Sequence, residues 1–287
     1  MSVEITTAFV EQYGSNIDLL SQQKNSRFQA FVRNESQTGE SGFYEQVGAT
    51  DVQEAVSRHD DTPRMDTPHA RRKVGLRTFR WADLIDKADK VRMLIDPAST
   101  YAMSAVMAMN RKRDDILIAA ALGTAYTGAT GATAVTLPSA QKVVAGATGL
   151  TIAKLRDTKE ILDAADVDPD MPRYFAVNAA TLKDLLATTE ITSSDYNVVK
   201  ALVAGQVDTF MGFKFIQTQR LTLDANSDIQ NFAWAQDGLL FVTGSDGTET
   251  RITERPDKNH SVQVWRQEVF GATRMEEAKI VEVASVA

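Results

Sequence analysis

Several side chains in this sequence are of types that do chemistry, and their spacing argues against it in each case. His59, His69 and His260 lie far apart in polar or proline-containing surroundings, with no pair at helical spacing and no His-Glu-x-x-His run. They read as surface or interface histidines, not as a metal site. Gly244-Ser-Asp-Gly247 does not match the Gly-x-Ser-x-Gly elbow of a nucleophilic serine, and its Asp-Gly pair predicts a hairpin turn instead. Asp163, Asp166, Asp168 and Asp170 gather at a helix end but lack the central glycine and distal glutamate of a calcium loop. The small-residue stretch Gly123-Thr-Ala-Tyr-Thr-Gly-Ala-Thr-Gly131 resembles a phosphate cradle only superficially, because no Lys-Ser or Lys-Thr follows and no apolar strand precedes it. It predicts a tight backbone path out of a helix. With no cysteine, disulfides, thiolate zinc sites, iron–sulfur clusters and cysteine nucleophiles are excluded. No catalytic residue, cofactor site or metal site is assigned, and the expectation is a protein that is not an enzyme.

What remains is the chemistry of contact, and composition sets its limits. A chain of 287 residues can bury a substantial core, and 43% hydrophobic with 24% charged residues is the balance of a folded protein. No run approaches the roughly 18 apolar residues of a membrane helix. The N-terminus carries an acid where a secretion signal has basic residues, so the chain is expected to be soluble and cytosolic at synthesis. The net charge of -7 argues against phosphate neutralisation as its main task. An acidic inner wall would still suit a container that holds DNA without sticking to it.

The elements that position the charges follow from periodicity. Asp96 as N-cap, Pro97 at the first helical position and Gly123 as the stop predict one long helix. Within it Tyr101, Ala102, Ala105, Val106, Met109, Ile116, Leu117 and Ala120 recur at the helical period around a charged middle, Arg111 to Asp115. About 25 residues at 1.5 Å each make a rod of roughly 38 Å, suited to a scaffold. Arg111 and Asp115 stand at i, i+4, but such a pair contributes only a few tenths of a kcal/mol. Salt bridges to β elements of the same chain, or contacts across an assembly, would account for the cluster equally well. Ahead of the helix, Phe9, Val10, Tyr13, Ile17, Leu20, Phe28, Phe31 and Val32 make residues 1–33 an amphipathic arm. That arm either needs a partner surface or forms a short terminal helix in a monomer. Residues 34–73 are polar and punctuated by Pro63 and Pro68, too poor in apolar anchors to make a core of their own.

A strand-like run carrying Val74, Leu76, Phe79 and Trp81 then follows, flanked by Arg71, Arg72, Lys73, Arg77 and Arg80. Together, 34–81 predict a long hairpin whose cations and aromatics either dock on a neighbouring subunit or stay solvated. The residues singled out for contact are Arg58, Arg64, Arg71, Arg72, Arg77, Arg80 and Trp81 on the loop, with Arg111, Asp114 and Asp115 on the helix. Beyond the helix, Thr151 caps a second helix to Ala165, Tyr174 to Val177 reads as a buried strand, and Asn178 caps a short helix to Leu186. A further helix is expected at 196–204 and a strand after Gly212. From Ile229 the chain reads as mostly β, with both pleat faces apolar near Val262 to Phe270, as in a sheet covered on two sides.

In this order the features resemble the major capsid (coat) proteins of tailed double-stranded DNA bacteriophages, whose fold is shared with encapsulin shells and the floor of herpesvirus capsids. The matching residues are Asp61-Thr-Pro63, Arg71-Arg72 leading to the Trp81 strand, Asp96-Pro97 with Tyr101, Arg111 with Asp114, Gly123-Thr-Ala-Tyr-Thr-Gly128 and Gly212-Phe-Lys-Phe-Ile216. The resemblance implies an α+β fold with an N-terminal arm (1–33), an extended β-hairpin loop (34–81), and a peripheral domain (82–171) holding a spine helix at 98–122. An axial domain (172–223) follows, with a β-rich return (224–287) completing both. It further implies hexamers and pentamers of the chain forming an icosahedral shell around double-stranded DNA, without sequence-specific binding and without a membrane. Portal, scaffolding and decoration proteins would be its partners, the virion its location and the host cytoplasm its place of assembly. An encapsulin-like cargo shell, or an α+β enzyme whose groups meet only in space, are the alternatives.

Overall fold

The computed structural model describes residues 21–54, 57–58, 61, 64–86, 98–187 and 209–286. The readings that fall on 1–20, His59, Pro63, Asp96, Pro97 and 196–204 lie outside the described residues. Along the chain run β1 (Arg33–Gln37), β2 (Ser41–Val47), β3 (His69–Gly75), β4 (Arg77–Ile85), α1 (Ala98–Leu122), β5 (Ala125–Thr127), β6 (Thr133–Val135) and β7 (Lys142–Val143). Then come α2 (Ile152–Ala164), β8 (Arg173–Val177), α3 (Ala179–Ala187), β9 (Thr209–Phe210), β10 (Phe213–Gln217), β11 (Ile229–Ala235), β12 (Leu239–Arg255), β13 (Ser261–Arg274) and β14 (Ile280–Ser285). The chain divides into two compact units. One holds described residues 21–25, 78–86, 98–111 and 246–269, the other 26–54, 57–58, 61, 64–77, 112–187, 209–245 and 270–286.

In the first unit Ala105 and Met109 of α1 are buried one turn apart, and β4 lies beside β13, which lies beside β12. The hairpin turn expected at Asp246-Gly247 is not there, because β12 continues through it for 17 residues. The reversal comes later, at 256–260, where Asn259 and His260 take left-handed backbone (φ 47° and 58°) and Ser261 N donates to Lys258 O. Asn tolerates that conformation at low cost, which gives the turn its sequence basis.

The second unit is built on a six-stranded sheet in the order β7-β14-β11-β8-β10-β9. Strand alternation sends Ala233 and Ala235 to one face and Phe232 and Trp234 to the other. The first face packs on Leu155 and Leu162 of α2 and Leu185 of α3, together with Phe175, Val177, Val281 and Val283. Thr151 accepts from Lys154 N and so caps α2, while Asn178 and Thr181 exchange side-chain and backbone bonds at the start of α3, as both sequence positions predicted. Helix α2 therefore joins the sheet of β8 and β10, although it precedes the boundary expected at 171. Lys154, 6% exposed, donates to Thr148 O, Gly149 O and Ala284 O and so ties α2 to the end of β14.

The aromatic face of that sheet is covered by the chain's own residues 28–31. Phe28 is fully buried with ring centroids 5.8 Å from Phe232 and 5.5 Å from Trp234, Phe31 lies 5.0 Å from Tyr174, and Trp234 Nε1 donates to Phe31 O at 3.0 Å. Residues 29–31 form a single 3-10 turn. The apolar spacing of Phe28, Phe31 and Val32, read as helical, thus serves a short docked segment. Burying Phe28 alone contributes roughly 1.5–3 kcal/mol.

Candidate assembly surface

Of residues 34–81, read as one long hairpin, only 41–47 and 69–75 pair with each other, while β1 and β4, the latter carrying Phe79 and Trp81, lie in a different sheet beside β12 and β13. β2 and β3 run antiparallel from Ser41 opposite Gly75 to Val47 opposite His69, and β3 continues the sheet into β5 and β6. The small-residue stretch Gly123–Gly131, read as a tight backbone path out of the helix, holds β5 and the turn that leads to β6. Gly123 ends the helix with its N–H on Ala119 O at 2.9 Å, where a Cβ would collide with that carbonyl. Gly131 (φ 67°) lies against the stem of Lys73 with no room for a side chain.

Period-2 alternation divides this sheet into two chemically different faces. Tyr44 and Arg72 face inward with Val74, over Leu240, Val242 and Met275. Outward, directly opposed residues form rows: Phe43, Lys73, Tyr126 and Ala134 across four strands, then Glu45 with Arg71, then Val47 with His69. Phe43 is 40% exposed, Tyr126 47% and Val47 65%. Arg71 sits 5.7 Å over the Phe43 ring and 3.6 Å from Glu45.

At the root, charge is held inside. Arg72 is 6% exposed, donates from Nε to Met275 O at 2.9 Å and pairs with Glu277. Arg274, fully buried, donates to Ala121 O (3.0 Å), Gly123 O (2.8 Å) and Val135 O (3.0 Å), with Nε on Glu277 at 3.3 Å. A cation on the last carbonyls of α1 satisfies groups that a helix end leaves unpaired and complements its dipole. Burial pushes the Arg274 guanidinium below its ordinary value, and Glu277 pulls it back up.

The charged middle of α1 finds separate partners. Asp114 is fully buried and accepts from Ser26 Oγ (2.5 Å), Arg27 N (3.0 Å) and Phe28 N (3.4 Å), fixing the segment that covers the aromatic face. Asp115 accepts two bonds from Arg220, 2.5 and 2.7 Å, which hold that guanidinium above its ordinary value. Arg111 donates to Gln22 Oε1 at 2.7 Å. These bonds go to partners within the chain, but to residues outside the strands and not to the β elements that the sequence reading offered. The remaining residues singled out by sequence face solvent: Arg58, Arg64 (3.4 Å from Asp66, both side chains 90% exposed), Arg77 and Arg80, which donates to Gln267 at 2.8 Å, with Trp81 half-buried. Ser26, Arg220, Arg274 and Glu277 escaped the sequence reading, since nothing in their local pattern marks the positions they meet.

Among the described residues no group of three or more His, Cys, Asp or Glu side chains is placed to hold a metal ion, and no helix is long and apolar enough to cross a membrane. Asp163 pairs with Arg173 at 2.6 Å and His260 with Glu254 at 2.8 Å.

Comparison with solved structures places this fold among phage shells. The chain is similar to the capsid structure of cyanophage P-SCSP1u, at 15% identity and a TM-score of 0.74 over 98% of this chain and 94% of that one. It is similar also to the head structure of Helicobacter pylori bacteriophage KHP40, at 12% identity and 0.77 over 99% and 98%. Mycobacterium phage Che8 gives 17% identity and 0.71 over 96% and 97%. No curated protein sequence matches. A family model described as phage capsid protein matches residues 5–286. Over nearly its whole length, then, this chain belongs to the phage capsid protein family, and it is a structural shell protein with the α+β major capsid fold.

Proposed function

We propose that this chain assembles with copies of itself into hexamers and pentamers that close an icosahedral shell around a double-stranded DNA genome. The observation that supports this most directly is the β2–β3 hairpin. Its inner face is anchored by buried charge, while its outer face and the residues described in its tip are exposed. Individually modest contacts made by such a loop are multiplied by closed symmetry. Arg58, Arg64, Arg71, Arg77, Arg80 and Trp81 are the residues proposed to meet a neighbour, with Arg72, Arg111, Asp114 and Asp115 acting inside the subunit. The net charge of -7 suits a wall that encloses DNA without binding its sequence. Portal and scaffolding proteins, with decoration proteins on the outer surface, are the proposed partners, and the host cytoplasm the proposed place of assembly.

Electron microscopy of the protein, purified or co-expressed with its scaffold, tests the reading. Shells, tubes or capsomers are expected. A strictly monomeric compact particle at every concentration would overturn it.

A further inference from the structure

Strand β12 has β13 along one edge, and along the other it has β1 only from Leu240 to Gly244. Among the described residues no strand pairs with the rest of that second edge, 245–255. Edges of that length are commonly blunted by proline, by a bulge or by charge of one sign. This one is not. Thr248, Thr250, Arg251, Ile252 and Thr253 are all exposed, and four of these five are β-branched, the type that favours strands. The charges between 247 and 253 are Glu249 and Arg251, opposite in sign, with side chains 43% and 64% exposed.

The order of these residues is self-complementary. When a second copy of the strand runs antiparallel beside the first with Thr250 opposite Thr250, Glu249 stands opposite Arg251, Arg251 opposite Glu249, and Thr248 opposite Ile252. A slide of two residues sets Glu249 on Glu249 or Arg251 on Arg251, and a slide of one leaves both charges opposite uncharged groups. A parallel pair in register stacks like on like. The open edge, 245–255, also has Thr250 as its midpoint. Pro256, which has no N–H to give, falls opposite Gly244, where β1 already occupies the edge. Charge order and the length of the open edge therefore select the same axis. Asp246 does meet Glu254 in this register, but toward the ends, where Glu254 is held at 2.8 Å by His260 of its own chain.

We infer that two copies of this chain join along this edge, residues 247–253 of each β12 pairing antiparallel about a two-fold axis at Thr250, so that two sheets become one. This adds a contact to the proposed shell and rests on that reading, since an icosahedral shell contains two-fold axes and each needs a self-complementary patch.

The chain has no cysteine, so a single introduced one reports on symmetry. In this register Thr250 meets its own copy with Cα atoms roughly 4.5–5.5 Å apart, within reach of a disulfide, while Thr248 lies roughly 14 Å from its copy. Particles of Thr250→Cys, mildly oxidised, are expected to yield covalent dimers on a non-reducing gel, and particles of Thr248→Cys only monomers. Thr250→Cys particles that stay unlinked, or Thr248→Cys particles that link equally well, would overturn the pairing and leave the shell reading standing. Failure of the parent chain to form particles would overturn both.

If Thr250→Cys does not assemble while the parent does, charge complementation decides. Glu249→Lys and Arg251→Glu subunits should each give a roughly tenfold lower particle yield alone, because like charges then face each other across the axis, and an equal mixture of the two should recover the parent yield. Glu249 and Arg251 also pair within one chain, and mixing cannot rebuild that internal pair in either variant, so recovery reports a contact between chains. Unchanged yield for the single variants, or no recovery on mixing, would overturn the proposal.

Discussion

Arg71 and Arg72 are neighbours on β3, yet the pleat sends them to opposite fates. Arg72 is 6% exposed, bonded to a carbonyl and a carboxylate of its own chain. Arg71 keeps a 42% exposed side chain against Phe43 and Glu45. The inner face of the hairpin sheet uses charge as an anchor: Arg72 Nε and Nη2 are held by Met275 O and Glu277, while Nη1 is buried without a partner among the described residues. On the outer face, charge is left in water, where an ion pair is weak and open to exchange for a better partner. Residue type alone says little here, and the side of the strand says nearly everything.

The largest test of that contrast is Arg274→Leu beside Arg71→Leu, both measured by urea unfolding of the unassembled subunit. Loss of Arg274 leaves three carbonyls and part of Glu277 unsatisfied, so about 3–5 kcal/mol of stability should disappear. Arg71→Leu should change stability by no more than about 0.5 kcal/mol while lowering particle yield. Equal losses at the two positions would abolish the distinction between anchor and contact.

Next in size is Asp114→Asn. The amide keeps the shape but loses the charge and turns an N–H group toward donors that the carboxylate accepts from, at Arg27 and Ser26. About 2 kcal/mol should be lost, and the chain ahead of Phe28 should be cut earlier in limited proteolysis. Parent-like proteolysis would show that the aromatic packing of Phe28 alone holds the segment.

A smaller effect is expected at Gly131→Ala, which asks how rigid the outer face is. The positive φ and the close stem of Lys73 together predict a loss of about 1–2 kcal/mol in the same urea measurement. A neutral result would mean that Lys73 swings away freely, and the row from Phe43 to Tyr126 would then be mobile.

Much of this fold was legible in the chain because it was written locally. The caps at Thr151 and Asn178, the stop at Gly123 and the buried run at 174–177 are all short-range signals, and the structure follows them. The hairpin was legible from what it lacked, too little apolar surface between 34 and 73. Long-range pairings were not legible. Nothing near Arg274 says that it will meet carbonyls at 121, 123 and 135, and nothing near Asp115 points to Arg220. Asp246-Gly247 misled because a turn signal yields to strand neighbours that offer a continuous ladder. Phe28 and Phe31 misled because three or four residues of apolar spacing fit a docked coil as well as a helix.

The smallest expected effect sharpens the comparison from the solvent side. Asp257, in the turn after β12, accepts two bonds of 2.7 Å from Arg255, and these bonds pull its carboxyl from 3.8 down to about 2. The depressed carboxyl takes up its proton only as pH falls from near 3.8 through about 2, where the proton displaces the pair; the linked stability is lost over that acid range and is made small by solvent screening of an exposed pair. Arg255→Gln should move the titration of Asp257, followed by NMR, back toward 3.8. Since both side chains stay open to solvent, 41% and 54% exposed, the same variant should barely move the urea midpoint at neutral pH. The variant would thus shift a titration without shifting stability, whereas Asp114→Asn shifts stability at neutral pH. If Arg255→Gln destabilised the subunit comparably, exposure would have failed as the property that separates an anchoring charge from one left available to a neighbour.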